Sequence, residues 1–198
     1  MFKQSVISAL IVAGATFAGA AHAGLVGVKD IRVTQASGDN NIQVVELQAF
    51  ESITGANVAL SSLGTVASAS SVYGWNDPNP GKAIDGQFAD KSFPNMFHSG
   101  ANANDWLNIS FSSVRELDSV TMYGRSDCCE TRDRYNVSFY GATGTLLYTA
   151  VLDATNAQHM GSITLPNTAA NVPEPASLAL LGMGLIGVGM SRRKQAAK

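Results

Sequence analysis

Ser119-Val-Thr-Met-Tyr123, then Gly124-Arg125-Ser126-Asp127-Cys128-Cys129-Glu130-Thr131-Arg132, then Tyr135-Asn-Val-Ser-Phe-Tyr140 form the stretch on which the reading of the fold turns. The two flanking runs alternate apolar with polar side chains and are rich in Val, Thr, Tyr and Phe, as half-buried strands are. Between them the chain drops that period and collects charge. The stretch therefore reads as strand, charged loop, strand.

Working outward, similar strand-like runs occur in Ile42-Gln-Val-Val-Glu-Leu-Gln-Ala-Phe50, Trp106-Leu-Asn-Ile-Ser-Phe111 and Thr145-Leu-Leu-Tyr-Thr-Ala-Val151. The segments between them have turn and loop composition, such as Asp77-Pro-Asn-Pro-Gly81 and Gly141-Ala-Thr-Gly144. No segment outside the two termini holds a helical period for three turns, and there is no internal repeat. The expectation is an all-β domain, an antiparallel sandwich or barrel. Asp77 to Gly100 is the longest stretch without strand character, and loops of that length in compact domains usually carry function or hold an ion.

Both ends read as addresses. Lys3, an apolar run from Val6 to Ala18 and the small-x-small triplet Ala21-His22-Ala23 predict a secretory signal peptide over residues 1–23, cleaved between Ala23 and Gly24. At the other end Pro173-Glu174-Pro175 precedes an uncharged run from Ala176 to Met190 and the basic Arg192-Arg193-Lys194. That run is shorter than the roughly 20 residues of a spanning helix, and the basic end would stay cytoplasmic, so a translocated protein would be held transiently at the inner membrane. The order resembles the PEP-CTERM sorting signal of Gram-negative bacteria over residues 172–198. The resemblance implies a hydrophobic sorting helix, an exosortase-type processing enzyme as partner, and a destination outside the cell or on its outer surface.

Gly24 to Asn171 is long enough for one domain with a core of its own. It carries 8 Lys/Arg against 14 Asp/Glu, a net charge of −6. Such a surface lacks the basic footprint that nucleic acid requires. Its only two cysteines, Cys128 and Cys129, are adjacent. In an exported protein they favour a disulfide over a thiol or a metal pair. Zinc lacks partners, since His159 is isolated and His22 leaves with the signal peptide.

The candidate site follows from His98, which has 26 residues between it and Arg125, and from Arg132 seven positions further on. Each guanidinium is a planar, permanently charged fork of donors, and an imidazole donates or accepts at one atom. Converging from separate loops, the three suit a ring of hydroxyls. Bonded neighbouring cysteines would add a small, flat, apolar platform and would also stiffen the loop that carries the arginines. Asp127 is better placed to orient an arginine than to touch a ligand. A glycosidase needs two carboxylates spaced across a bond, and the sequence offers no such pair, so no enzymatic activity is expected.

This constellation, His98 with Arg125-Ser-Asp127, Cys128-Cys129 and Arg132, resembles the fucose-binding signature of the F-type lectins (fucolectins). These are a branch of the discoidin, or coagulation factor C-type, domains. Ala67-Ser-Ala-Ser-Ser-Val-Tyr73, Lys82-Ala-Ile-Asp85-Gly86, Phe97-His98-Ser99 and Asp105-Trp106 extend the likeness, which spans about Asn57 to Tyr140. It implies a galactose-binding-like jelly-roll β-sandwich over residues 24–168. In it His98, Arg125 and Arg132 would hydrogen-bond α-L-fucose while the Cys128–Cys129 disulfide lies against the sugar's carbon face. Tyr73, Trp75, Phe88 and Phe97 are candidates for the wall that meets the fucose methyl.

The same resemblance implies a structural calcium ion, with Asp85 as acidic ligand and the carbonyls of Lys82, Gln87 and Asn95 as further oxygen ligands. Relatives carry another acidic ligand on a late strand, in a Glu-x-hydrophobic context. Ser162-Ile-Thr-Leu-Pro166 has no carboxylate, whereas Val45-Glu46-Leu-Gln-Ala-Phe50 matches that strand near the front of the domain. A circular permutation that keeps Glu46 at the ion is the expectation; the alternative is that Glu46 is an exposed residue on an edge strand. Two functions fit: a non-catalytic protein that binds terminal fucose or a similar sugar, or a matrix or biofilm adhesion component that holds glycans or exopolysaccharide without fucose specificity.

Overall fold

The computed structural model describes residues 24–168. The expected signal peptide, the Pro173-Glu174-Pro175 motif and the hydrophobic segment after it lie outside the described residues. Within them there are nine strands, three short 3-10 turns and no α-helix, and no helix is long and apolar enough to cross a membrane. The strands are β1 (Leu25–Gln35), β2 (Gln43–Val44), β3 (Glu46–Glu51), β4 (Val66–Ala69), β5 (Phe97–His98), β6 (Trp106–Tyr123), β7 (Arg134–Gly141), β8 (Leu146–Asp153) and β9 (Met160–Thr164). All pairings between strands are antiparallel.

The organising element is β6. The runs at Trp106 and at Ser119, read from the sequence as two strands, form one 18-residue strand. Its first half lies between β1 and β4, and its second half between β3 and β9. Beyond β1 the sheet continues through β7 to β8. Leu107, Ile109 and Phe111 from the first half and Leu117, Val120 and Met122 from the second enter one hydrophobic cluster. The inward side of β6 stays on odd positions as far as Leu117 and then passes to the even Val120 and Met122, at the register shift opposite Phe50 and Glu51.

β1 was not anticipated from the sequence, for a physical reason. Leu25, Val28 and Ile31 are buried at a spacing of three, because the register shifts on both sides of Val28. Only from Asp30 onward does the strand alternate cleanly, with Ile31 and Val33 inward. Gly27, at φ +83°, takes the left-handed turn of backbone that the irregularity needs.

Ile31 and Val33 meet Phe139 and Val137 of β7 across the ladder, all fully buried. Each such side chain contributes about 1.5–3 kcal/mol by leaving water. Truncating Phe139 to Ala would cost about 3–5 kcal/mol.

Two polar anchors place the loops at one end of this core. Asp105 accepts hydrogen bonds from Ser70 Oγ at 2.7 Å, Ser71 Oγ at 2.6 Å and the Asn102 amide at 2.9 Å. It thereby ties the segment leading to Tyr73 against the start of β6. Pairing of β2 with β5 does the same for His98, which sits opposite Gln43. The stretch read as a strandless loop, Asp77 to Gly100, thus contains the short strand that carries His98.

Candidate functional site

His98, Arg125, Arg132, Cys128 and Cys129 line one hollow of about 330 Å³, together with Asn41, Tyr73 and Phe93. That size is at the lower end of the roughly 300–1,000 Å³ typical of small-ligand sites. His98 reaches it from β5, the arginines and cysteines from the loop between β6 and β7, and Phe93 from the long loop before β5.

Cys128 and Cys129 are bonded to each other, with Cys129 at φ +62°. The Cys129 carbonyl accepts the Arg132 amide at 2.9 Å, closing the tight turn that points Arg125 and Arg132 at the same space.

Each arginine has its own carboxylate. Arg125 makes a two-point pair with Asp127, Nε to Oδ1 at 2.6 Å and Nη2 to Oδ2 at 3.0 Å. Arg132 Nε donates to Asp39 Oδ2 at 3.0 Å. The hydrogen bonds from Arg125 hold the Asp127 carboxyl below its usual range. At Asp39 burial works the other way, but hydrogen bonds from Asn41 together with the Arg132 charge still bring the pKa down. Both acids therefore stay ionised and orient their partners. Asp127 was expected in that role; Asp39, 93 residues from Arg132, was not.

His98 is nearly buried, and both ring nitrogens already have partners. Nδ1 lies 2.7 Å from the Ser99 carbonyl oxygen, so that nitrogen carries the proton and donates. Nε2 lies 3.0 Å from Gln43 Nε2, a donor only, and so accepts. Burial lowers the His98 pKa, the Ser99 hydrogen bond opposes this, and the charges of Arg125 and Arg132 lower it further. The ring is a neutral Nδ1–H tautomer, and Gln43 fixes its acceptor face. A hydroxyl that uses His98 Nε2 would therefore have to take the place of the Gln43 amide. Gln43 Oε1 is itself buried without a hydrogen-bond partner.

The aromatic wall also differs from expectation. Of Tyr73, Trp75, Phe88 and Phe97, only Tyr73 lines the hollow. Phe97 is fully buried in the core, Phe88 stacks on Tyr123 at 4.7 Å, and Trp75 is exposed on the surface. Phe93 supplies the second ring, edge-on to both Tyr73 at 6.0 Å and His98 at 6.1 Å. The Arg125 guanidinium lies 5.2 Å from its centroid. Tyr73 packs beside His98 at 4.9 Å.

Away from the hollow, Glu46 is fully buried on β3 rather than exposed on an edge. Its Oε2 accepts the Gly86 amide at 3.2 Å, while Oε1 has no hydrogen-bond partner. Asp85 adjoins it and accepts the Gln87 amide at 2.8 Å. Burial, aided by the Asp85 charge, pushes the Glu46 pKa up to about 8. Lys82 turns its side chain to the Pro94 carbonyl at 2.8 Å, and Asn95 donates its side-chain amide to Asp90 at 2.8 Å. Lys82 could offer an ion only its main-chain oxygen. Among the described residues no three His, Cys, Asp or Glu side chains converge. Two neighbouring carboxylates, one with an unpartnered buried oxygen, are donors of the kind a hard cation binds.

A family model described as the PEP-CTERM protein-sorting motif matches residues 171–194. The chain is accordingly an exported protein, carried across the inner membrane to the cell surface or the extracellular space and sorted by an exosortase-type enzyme. No curated protein and no solved structure matches it significantly.

Proposed function

We propose that this exported domain is a galactose-binding-like jelly roll that recognises a terminal fucose, or a sugar of similar hydroxyl pattern, without altering it. The observation that carries this reading is the meeting of His98, Arg125 and Arg132 over the bonded Cys128–Cys129 pair in one small hollow. The two guanidinium forks, each held by its own carboxylate, donate to adjacent sugar oxygens. A hydroxyl that donates to His98 Nε2 takes the place of the Gln43 amide. The apolar face of the sugar rests on the disulfide, and Tyr73 with Phe93 forms the wall for a methyl group. The acids nearest the arginines, Asp127 and Asp39, are spent on those guanidiniums, which favours binding over bond cleavage.

Calcium is proposed as a brace, held by Glu46, Asp85 and the carbonyls of Lys82, Gln87 and Asn95. It would neutralise two adjoining carboxylates and fix the loop between Asn79 and Asn95. Glu46 serving from an early strand is consistent with a permuted order of the fold. Affinity at a single site is expected to be weak, because hydroxyls must be stripped of water, so avidity on a surface supplies strength.

The test is a glycan array with the full-length chain in a detergent without a sugar headgroup, run with and without a chelator. Retention on fucosylated glycans that falls on chelation supports the proposal. Retention on bulk polysaccharide alone, unchanged in Arg125→Ala, supports the adhesion reading instead.

A further inference from the structure

The outer face of the sheet carries a second hollow, of about 390 Å³, lined by Asp30, Arg32, Asn108, Tyr140 and Gly144. Asp30 and Arg32 are two residues apart on β1 and so share that face. Arg32 pairs in register with Asn108 of β6 and Ser138 of β7, which sets it diagonally between Trp106 and Tyr140. Its guanidinium lies 4.9 Å from the Trp106 ring and 5.9 Å from the Tyr140 ring.

Arg32 is thus positioned by stacking alone. Among the described residues it makes no hydrogen bond or ion pair, so its donors are unspent. Asn108 Nδ2 donates to Asp30 Oδ1 at 3.3 Å, turning that carboxylate toward the same space. A fork of donors, a carboxylate, an amide and a phenol ring around one open hollow are the complement of a pyranose. Hydroxyls both donate and accept, and a sugar has an apolar face for Tyr140. Opposite charges on Asp30 and Arg32 cancel, and the domain's net charge of −6 repels polyanions.

We infer that this hollow is a second saccharide site, taking a neutral hexopyranose within a polysaccharide chain. It is separate from the loop hollow, since Tyr140 lies six residues along β7 from Arg134, roughly 20 Å in an extended strand. One domain then grips a terminal sugar at its loop end and a polysaccharide chain on its sheet face.

The test uses the full-length chain in the same detergent, with Trp75→Phe leaving Trp106 as its only tryptophan. Trp106 emission is followed during titration with neutral gluco-, manno- and galacto-hexaoses and with a hexauronate. At least one neutral hexaose should shift the emission saturably, with the hexauronate at least about tenfold weaker. Arg32→Ala and Arg32→Lys should each weaken that hexaose about tenfold, as loss of a stacked fork predicts, and leave α-L-fucose binding unchanged. Saturating fucose should not displace the hexaose. The inference is overturned if no neutral hexaose moves Trp106, if both Arg32 variants bind like the parent, if the hexauronate binds more tightly, or if fucose competes.

Discussion

Arg125 and Asp127 meet at two points within one loop turn, and Asp127 Oδ1 also accepts the Phe93 amide at 3.3 Å. One carboxylate therefore aims the guanidinium and fastens the loop bearing the aromatic wall. Asp127→Asn keeps the shape but loses the charge-assisted pair. It should weaken α-L-fucose binding about 5- to 20-fold by titration calorimetry. Its side chain is partly exposed, so melting should shift by no more than about 2 °C. Unchanged affinity would show that Arg125 needs no such partner.

Cys128→Ser/Cys129→Ser removes the platform without releasing a long loop. A bond between neighbours constrains the unfolded chain little, so stability should change by under about 1 kcal/mol. Fucose affinity should fall about tenfold, the loss of roughly 50 Å² of apolar contact at about 25 cal/mol/Å². A variant with parental affinity would reduce the disulfide to a stiffener of the loop.

At the proposed ion site, calcium at a hundredfold excess over its dissociation constant should stabilise the domain by about 2.7 kcal/mol. That corresponds to a rise of about 5–10 °C in melting temperature for this size. Glu46→Gln, which leaves the side-chain shape intact, should abolish most of the rise. An equal rise in parent and variant would exclude Glu46 as a ligand and remove the support for a permuted strand order.

Asp133 gives a dependence on pH of predictable sign. It is fully buried behind Gly124, where any Cβ would lie 2.2 Å from Oδ2. Oδ1 accepts the Tyr135 hydroxyl at 3.0 Å, and Oδ2 has no hydrogen-bond partner. Burial raises its pKa from 3.8 to about 7, against the Tyr135 hydrogen bond. Between those values the folded chain holds a proton that the unfolded chain has lost, so this group's contribution to stability falls as pH rises from about 4 to 7. The full loss is at most about 4 kcal/mol at about 1.4 kcal/mol per unit. Urea denaturation at pH 5 and pH 8 should show Asp133→Asn gaining on the parent at the higher pH. A constant difference between the two would contradict the assignment.

Legibility in the sequence followed how local each signal was. The loop from Arg125 to Arg132 and its two flanking strands were plain, because alternation, charge and the adjacent cysteines all lie within one short stretch. β1 was hidden by the irregularities around Val28, which break the period of two, and β4 and β9 by small residues such as Ala67, Ala69 and Gly161. Six lining residues named from sequence, Tyr73 among them, do converge. Their partners were not legible: Asp39 reaches Arg132 across 93 positions and Gln43 reaches His98 across 55. Phe93 was indistinguishable by composition from Phe88 and Phe97, since only tertiary packing decides which ring faces the hollow. Burial of Glu46 likewise depends on the loop that covers β3, not on the residues beside it.

The central claim is that the imidazole and the two guanidiniums act together on one sugar. Calorimetric titration of α-L-fucose into the full-length chain, its Arg125→Ala form and its Arg132→Ala form tests it most directly. Saturable one-site binding by the parent, weakened at least about thirtyfold in each variant, is the predicted result, since each loses about 2 kcal/mol of charged hydrogen bonding. A parent that takes up no fucose, or variants that bind as the parent does, would contradict it.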